Sequence, residues 1–227
     1  MKQLLQDLRS HEVVVEEVPP PSCLPDGVLV KSAASLISSG TERATISLGG
    51  RSLLGKAFER PDLVRQVFRR FKTAGVTDVI ATVRSRLDSS IALGYSSAGV
   101  VLEVGAGVNE FVVGDLVACA GAGYASHAEV NWVPKNLCVK IPPNVSCESA
   151  ASVALGAIAL HGVRVAEAKL GERVAVIGLG LVGQLVAQIL HAAGCVVWGL
   201  DTDPDRVRII TPTFFVLGIV TARSVGA

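Results

Sequence analysis

The stretch from Arg173 to Asp201 constrains the fold most. Arg173-Val-Ala-Val-Ile177 has the composition of a strand and leads directly into Gly178-Leu179-Gly180-Leu181-Val182-Gly183. A helix-like run follows to Ala193 and closes at Gly194; Val196–Leu200 is a second strand, ending at Asp201. A G-x-G-x-x-G alone is weak. One that follows a strand, opens a helix and has an acidic residue 18 positions past its last glycine has the context of a dinucleotide-binding turn. Gly178 allows the sharp turn, and Gly180 lets the backbone approach a pyrophosphate with no Cβ in the way. Gly183 permits close helix–strand contact, and the amides of Leu179, Leu181 and Val182 belong to the N–H-rich helix start that faces the phosphates. Asp201 is expected to accept hydrogen bonds from the adenosine ribose. Its charge repels a 2′-phosphate, which favours NAD over NADP, while nearby Arg206 keeps NADP open. The alternative is a glycine-rich βαβ turn without a ligand.

Val174–Leu200 has no Asp, Glu, Lys or Arg over 27 positions, long enough for a spanning helix. Five glycines, two glutamines and His191 interrupt it, and its β-branched residues gather at the two ends. A buried strand–helix–strand unit is expected, and no membrane span. The chain has 227 residues, half of them hydrophobic, which allows one or two domains and excludes wholesale disorder. With 21 Lys and Arg against 20 Asp and Glu, no general affinity for nucleic acid is expected. Five scattered cysteines with no C-x-x-C pair argue against a disulfide framework and for a reducing cytoplasm. The mixed residues of 1–12 do not form a signal peptide.

The first part reads as β-rich. Val13–Val15, Val28–Val30, Gly99–Val104, Val112–Ala118, Ala125–Val133 and Leu137–Ile141 are short apolar runs between turn signals, the pattern of a small barrel or sandwich. Residues 51–88 interrupt it with nine Lys or Arg against four Asp or Glu. Two amphipathic helices are expected there, their basic face either an anion- or partner-binding surface or an ordinary solvated one. Pro142-Pro143 break the β pattern, and Ser146 is a plausible N-cap with Glu148 in the first turn. The expected division is therefore a β domain over 1–145 and a nucleotide-binding unit over 146–227.

The order of motifs resembles the medium-chain dehydrogenase/reductase superfamily over roughly residues 1–206. The resemblance is carried by Gly94-Tyr-Ser-Ser-Ala-Gly-Val-Val101, Val104-Gly-Ala-Gly107, Gly114-Asp-Leu-Val117, Gly123-Tyr-Ala-Ser-His-Ala-Glu-Val130 and the glycine turn. It implies a GroES-like β domain joined to a Rossmann domain, and NAD(P)-dependent oxidoreduction of a small-molecule substrate. Ser38-Ser-Gly-Thr-Glu42 and Gly94-Tyr95-Ser96 look most like a subgroup without the usual metal. Zinc-dependent relatives carry a thiolate where this chain has Ser39, an imidazole where it has Tyr95, and a further thiolate near Val153. Hydroxyls and a valine do not replace N and S donors, so no zinc is expected. Thr41 matches the family hydroxyl that relays a proton to the substrate oxygen. Tyr95 would be a second donor, or part of the barrel wall, and Glu42 would position either group or pair with Arg43 or another base. His127, His161 and His191 are expected to be packed or surface residues, and Cys119 and Cys138 core residues.

After about residue 206 the pattern departs from that family. Asp203-Pro204 starts a helix, but Pro212 interrupts it and Phe214–Val220 favours a strand. One βαβ unit builds only the adenosine half of a dinucleotide site, leaving the first strand's outer edge for the tail, a second copy or a partner to cover. The expectation is a truncated or frame-disrupted relative whose own turnover is doubtful. Its alternative role is that of a non-catalytic nucleotide-binding fragment or interaction module.

Overall fold

The computed structural model describes residues 1–7, 12–38, 40–42 and 90–210, and the backbone of Phe215–Val216. The basic segment 51–88, Ser39 and the remainder of the tail lie outside the described residues. The chain divides into two compact units, Met1–Ala151 and Ser152–Ala227, whereas the sequence puts the junction near Ser146.

The first unit is antiparallel. Its strands are β1 (Lys2–Asp7), β2 (Val13–Glu17), β3 (Gly27–Ser35), β4 (Ser90–Ala92), β5 (Ser96–Val104), β6 (Leu116–Ala120), β7 (Val130–Pro134) and β8 (Cys138–Lys140). They form one sheet of order β2-β1-β4 and another of order β7-β3-β5-β6-β8. The two sheets are stitched together by the bridge between Gln3 and Ala128 and by backbone bonds from Leu4 to His127 and from Glu129 to Lys2. Two register shifts in the β3–β5 ladder bend those strands around the core. Val28, Val30, Val101, Val117, Cys119 and Val133 fill it and are essentially inaccessible. β-branched residues suit such strands, and each buried side chain of this size contributes about 1.5–3 kcal/mol.

The run expected over Ala125–Val133 is shorter than its apolarity suggests. Pairing with β3 begins only at Val130, because buried Asn131 turns back on the preceding residues. Its side chain accepts from the Ser126 amide (3.3 Å) and donates to the Ser126 carbonyl (3.1 Å) and Ser32 Oγ (3.0 Å). His127 consequently lies on a pinned loop rather than on a strand. Leu116 likewise starts β6, after the turn at Gly114-Asp115. Helix α1 (Cys147–Ala150) closes the unit, capped by Ser146 Oγ, which accepts from the Ser149 amide.

The second unit is parallel α/β. It contains α2 (Val153–Val165), β9 (Arg173–Ile177), α3 (Leu181–Ala192), β10 (Val196–Leu200), α4 (Pro204–Ile210) and β11 (Phe215–Val216). β9 and β10 pair in parallel along their whole length, with α3 as the crossover. Val176, Leu179, Ala187, Leu190, Cys195, Val197 and Val207 form its core. Among the described residues no helix is long and apolar enough to cross a membrane. Burial is one-sided: Val176 is inside, whereas Ile177 is 86% exposed. The tail strand pairs in parallel with β10, giving the order β11-β10-β9. It thus extends the sheet at the edge next to β10, which α4 has just left. Among the described residues nothing pairs with the outer edge of β9.

Candidate functional site

Three glycines shape the turn between β9 and α3, each for a different reason. Gly178 has φ +91°, a conformation that L side chains rarely adopt, and its amide donates to the Leu200 carbonyl (2.7 Å). At Gly183 a Cβ would collide with the Gly178 carbonyl oxygen, so helix and turn touch backbone to backbone. Gly180 has neither constraint. Its backbone is extended, and a Cβ there would meet nothing nearer than an Arg206 guanidinium nitrogen at 4.0 Å. The fold leaves open space at Gly180, the position where a pyrophosphate would need it. Gly180 is also the N-cap of α3 and supplies no side-chain cap, so the helix start keeps its amides for another acceptor. Leu181 and Val182 form the partly exposed first turn, while Leu179 turns its side chain wholly into the core.

Asp201 directly follows β10 beside this turn. Its Oδ2 accepts from the Leu179 amide (2.6 Å) and its Oδ1 from the Asp203 amide (2.9 Å). Arg206 reaches Asp201 Oδ2 at 3.7 Å and Asp203 Oδ2 at 3.2 Å, with about half of its side chain exposed. The Asp203 amide, then that of Leu179, with the guanidinium beyond them, hold the Asp201 carboxyl below the usual carboxylate value. The carboxylate therefore fastens the turn to the second strand. An ionised carboxylate offers about four lone-pair sites, and these two amides use two of them.

The first unit has a separate polar cluster. Residues 40–42 are helical, and Glu42 folds back so that its Oε1 accepts from the Ser38 amide (2.9 Å). The Glu42 amide in turn donates to the Ser38 carbonyl (2.9 Å), and Ser38 Oγ donates to Thr41 Oγ1 (3.3 Å). Glu42 Oε1 also faces His127 Nε2 at 3.2 Å, with both side chains about nine-tenths buried. Because an ionised carboxylate only accepts, Nε2 carries the proton. In the neutral ring, Nδ1 then accepts from Ser35 Oγ (2.8 Å). Gly94 (φ +92°) makes room for this ring, since a Cβ there would lie 2.8–2.9 Å from the His127 amide nitrogen and ring carbons. Thr41 is exposed, and Tyr95, half-buried, follows Gly94 into β5. The structure thus joins Thr41 to Glu42 through Ser38 and adds His127, a partner that sequence reasoning missed. Its 85-residue separation from Glu42 leaves no local signal. Arg43, the base next to Glu42 in sequence, lies outside the described residues. Among the described residues no three His, Cys, Asp or Glu side chains group as metal ligands.

Residues 66–143 match the alcohol dehydrogenase GroES-like domain family. The (R,R)-butanediol dehydrogenase of Bacillus subtilis is 30% identical over 143 residues, covering 51% of this chain and 40% of that protein. An alcohol dehydrogenase of Geobacillus stearothermophilus is 30% identical over 190 residues, 68% of this chain and 56% of its own length. The Escherichia coli quinone oxidoreductase, solved in complex with NADPH, superposes with a TM-score of 0.71 at 18% identity, over 96% of this chain and 58% of that one. The chain belongs to the medium-chain dehydrogenase/reductase superfamily. Its first unit is the GroES-like β domain and its second a Rossmann-type βαβ region. The chain spans about half the length of the curated relatives that it matches.

Proposed function

We propose that this superfamily member serves NAD(P)-linked, zinc-independent oxidoreduction of a small-molecule alcohol, carbonyl or activated double bond. The observation that carries the reading is the open space at Gly180. Two glycines of the motif are required by the fold itself, but this one is explained by a ligand. Gly178 and Gly180 with the amides of Leu181 and Val182 would hold the pyrophosphate. Leu179 and Gly183 fix the shape of the turn, and the remaining lone pairs of Asp201 serve the ribose. Arg206, already beside both Gly180 and Asp201, suits an additional phosphate, which keeps NADP beside NAD. A bound nicotinamide supplies or accepts the hydride. Thr41 supplies a hydroxyl at the substrate oxygen, backed by Ser38 and Glu42, and Tyr95 is a second donor. The residue types at 39, 95 and 153 support a reaction without zinc.

A second reading, nucleotide binding without turnover, is favoured by the sheet order β11-β10-β9. Among the described residues this is only the half of a doubly wound sheet that carries adenosine. One experiment addresses both readings: titration of the folded chain with NADH and NADPH, followed by Trp198 fluorescence, and then by hydride transfer to a substrate panel. Saturable binding is expected. Gly180→Ala should weaken it about tenfold while changing stability by less than about 1 kcal/mol, the usual range for an N-cap glycine. Binding without turnover selects the second reading. Absence of saturable binding overturns both.

A further inference from the structure

Cys119 on β6 and Cys138 on β8 are direct cross-strand partners. The Ile141 amide donates to the Leu116 carbonyl, so 116 and 141 are a hydrogen-bonded pair. Alternation along an antiparallel ladder then makes 118 and 139 hydrogen-bonded, and 119 and 138 the non-hydrogen-bonded type. There Cα atoms approach to about 4.5 Å and side chains are closest, inside the range a disulfide spans. The two sulfurs are 3.8 Å apart. Cys119 is fully buried in the core, whereas Cys138 is only partly buried and sits on the edge strand of its sheet. An edge strand can yield the roughly 2 Å needed to bring such sulfurs to bonding distance. The hydrogen bond between the thiols also divides their roles. It and burial push Cys119 far above the ordinary thiol value, and it draws Cys138 below that value.

We propose that Cys119 and Cys138 form a dithiol site that peroxide converts into a cross-strand disulfide between β6 and β8. Cys138, the reachable sulfur, attacks the peroxide. The O–O bond breaks, one oxygen leaves as water, and Cys138 becomes a sulfenic acid. The sulfur of Cys119 then attacks that of Cys138; the S–O bond breaks, the S–S bond forms, and a second water leaves. Two thiols and one peroxide thus give one disulfide and two waters, with both electrons passing from the sulfurs to peroxide oxygen. The same reading predicts no such reaction for Cys195, buried in the other unit with its thiol donating to the Lys169 carbonyl (3.3 Å).

The test treats the reduced full chain with equimolar hydrogen peroxide and maps its cysteine peptides by mass spectrometry. Two of the five thiols should be lost together as a Cys119–Cys138 linked peptide, restored by dithiothreitol. Closing a loop of this length should also raise Tm by several degrees. Cys138→Ser should abolish the link, and Cys119→Ser should leave a sulfenic acid on Cys138 that dimedone traps. If Cys119→Ser does not fold, the peptide map of the unsubstituted chain still decides. Links through Cys23 or Cys147, or oxidation of either before Cys138, overturn the proposal, as does a chain that keeps all five thiols.

Discussion

The two units build their polar sites in opposite ways. At the glycine turn of the second unit the working groups are backbone amides, and neighbours in sequence supply nearly all of them. The cluster of the first unit is made of side chains from distant segments: Ser35, Ser38 and Glu42 meet His127 because β3, the 40–42 turn and the loop before β7 converge. A backbone site depends on the conformations a residue type allows and on how closely two main chains approach. A side-chain site depends on partners remaining paired once water is excluded. Substitutions should therefore fail differently in the two places: by steric collision in one, by orphaned hydrogen-bonding groups in the other.

The largest effect is expected at Gly183. A methyl group there would overlap the Gly178 carbonyl oxygen, a backbone atom that cannot swing aside. Gly183→Ala should destabilise the second unit by about 3 kcal/mol or more, in the range of severe overpacking. Urea unfolding followed at Trp198 measures this. A loss below about 1 kcal/mol would show that the turn yields and that steric collision does not set this site apart from the side-chain cluster.

Glu42→Ala is next. It removes the acceptor shared by the Ser38 amide and His127 Nε2, both in buried surroundings, and should cost about 2 kcal/mol. His127→Ala should cost less, since Glu42 keeps the Ser38 amide. In the double variant the two losses should fall short of their sum by at least about 0.5 kcal/mol, as for residues in direct contact. Strict additivity in a double-mutant cycle would dissolve the cluster into unrelated contacts.

This division also explains what the sequence revealed. Strand, turn, helix and second strand over 173–200 were legible because periodicity and glycine placement are local, and the Ser146 cap and the start of α4 at Pro204 were legible for the same reason. His127 was not. Its surroundings come from Asn131 folding the preceding loop onto Ser126 and from Gly94 clearing space, and neither effect shows in hydropathy. The same loop delays the start of β7 to Val130, five residues into the apolar run. Asp201 was legible as a residue at the end of β10 but only partly as a bonding group, because its bond to Leu179 depends on how far the turn curls back.

The smallest effect tests whether Asp201 belongs with the backbone site, as its two amide partners imply. Those amides hold its folded-state pKa below the unfolded value. Their stabilisation is therefore present above the ordinary carboxylate range, near pH 4, and is lost as pH falls through the lower folded value. Asp201→Asn has no such charge to lose. The urea midpoint of the unsubstituted chain should thus fall more steeply below about pH 4 than that of the variant, the two curves converging in acid. Parallel curves would mean that the Asp201 carboxylate charge contributes nothing to holding the glycine turn, and that Gly178 and Gly183 shape it unaided.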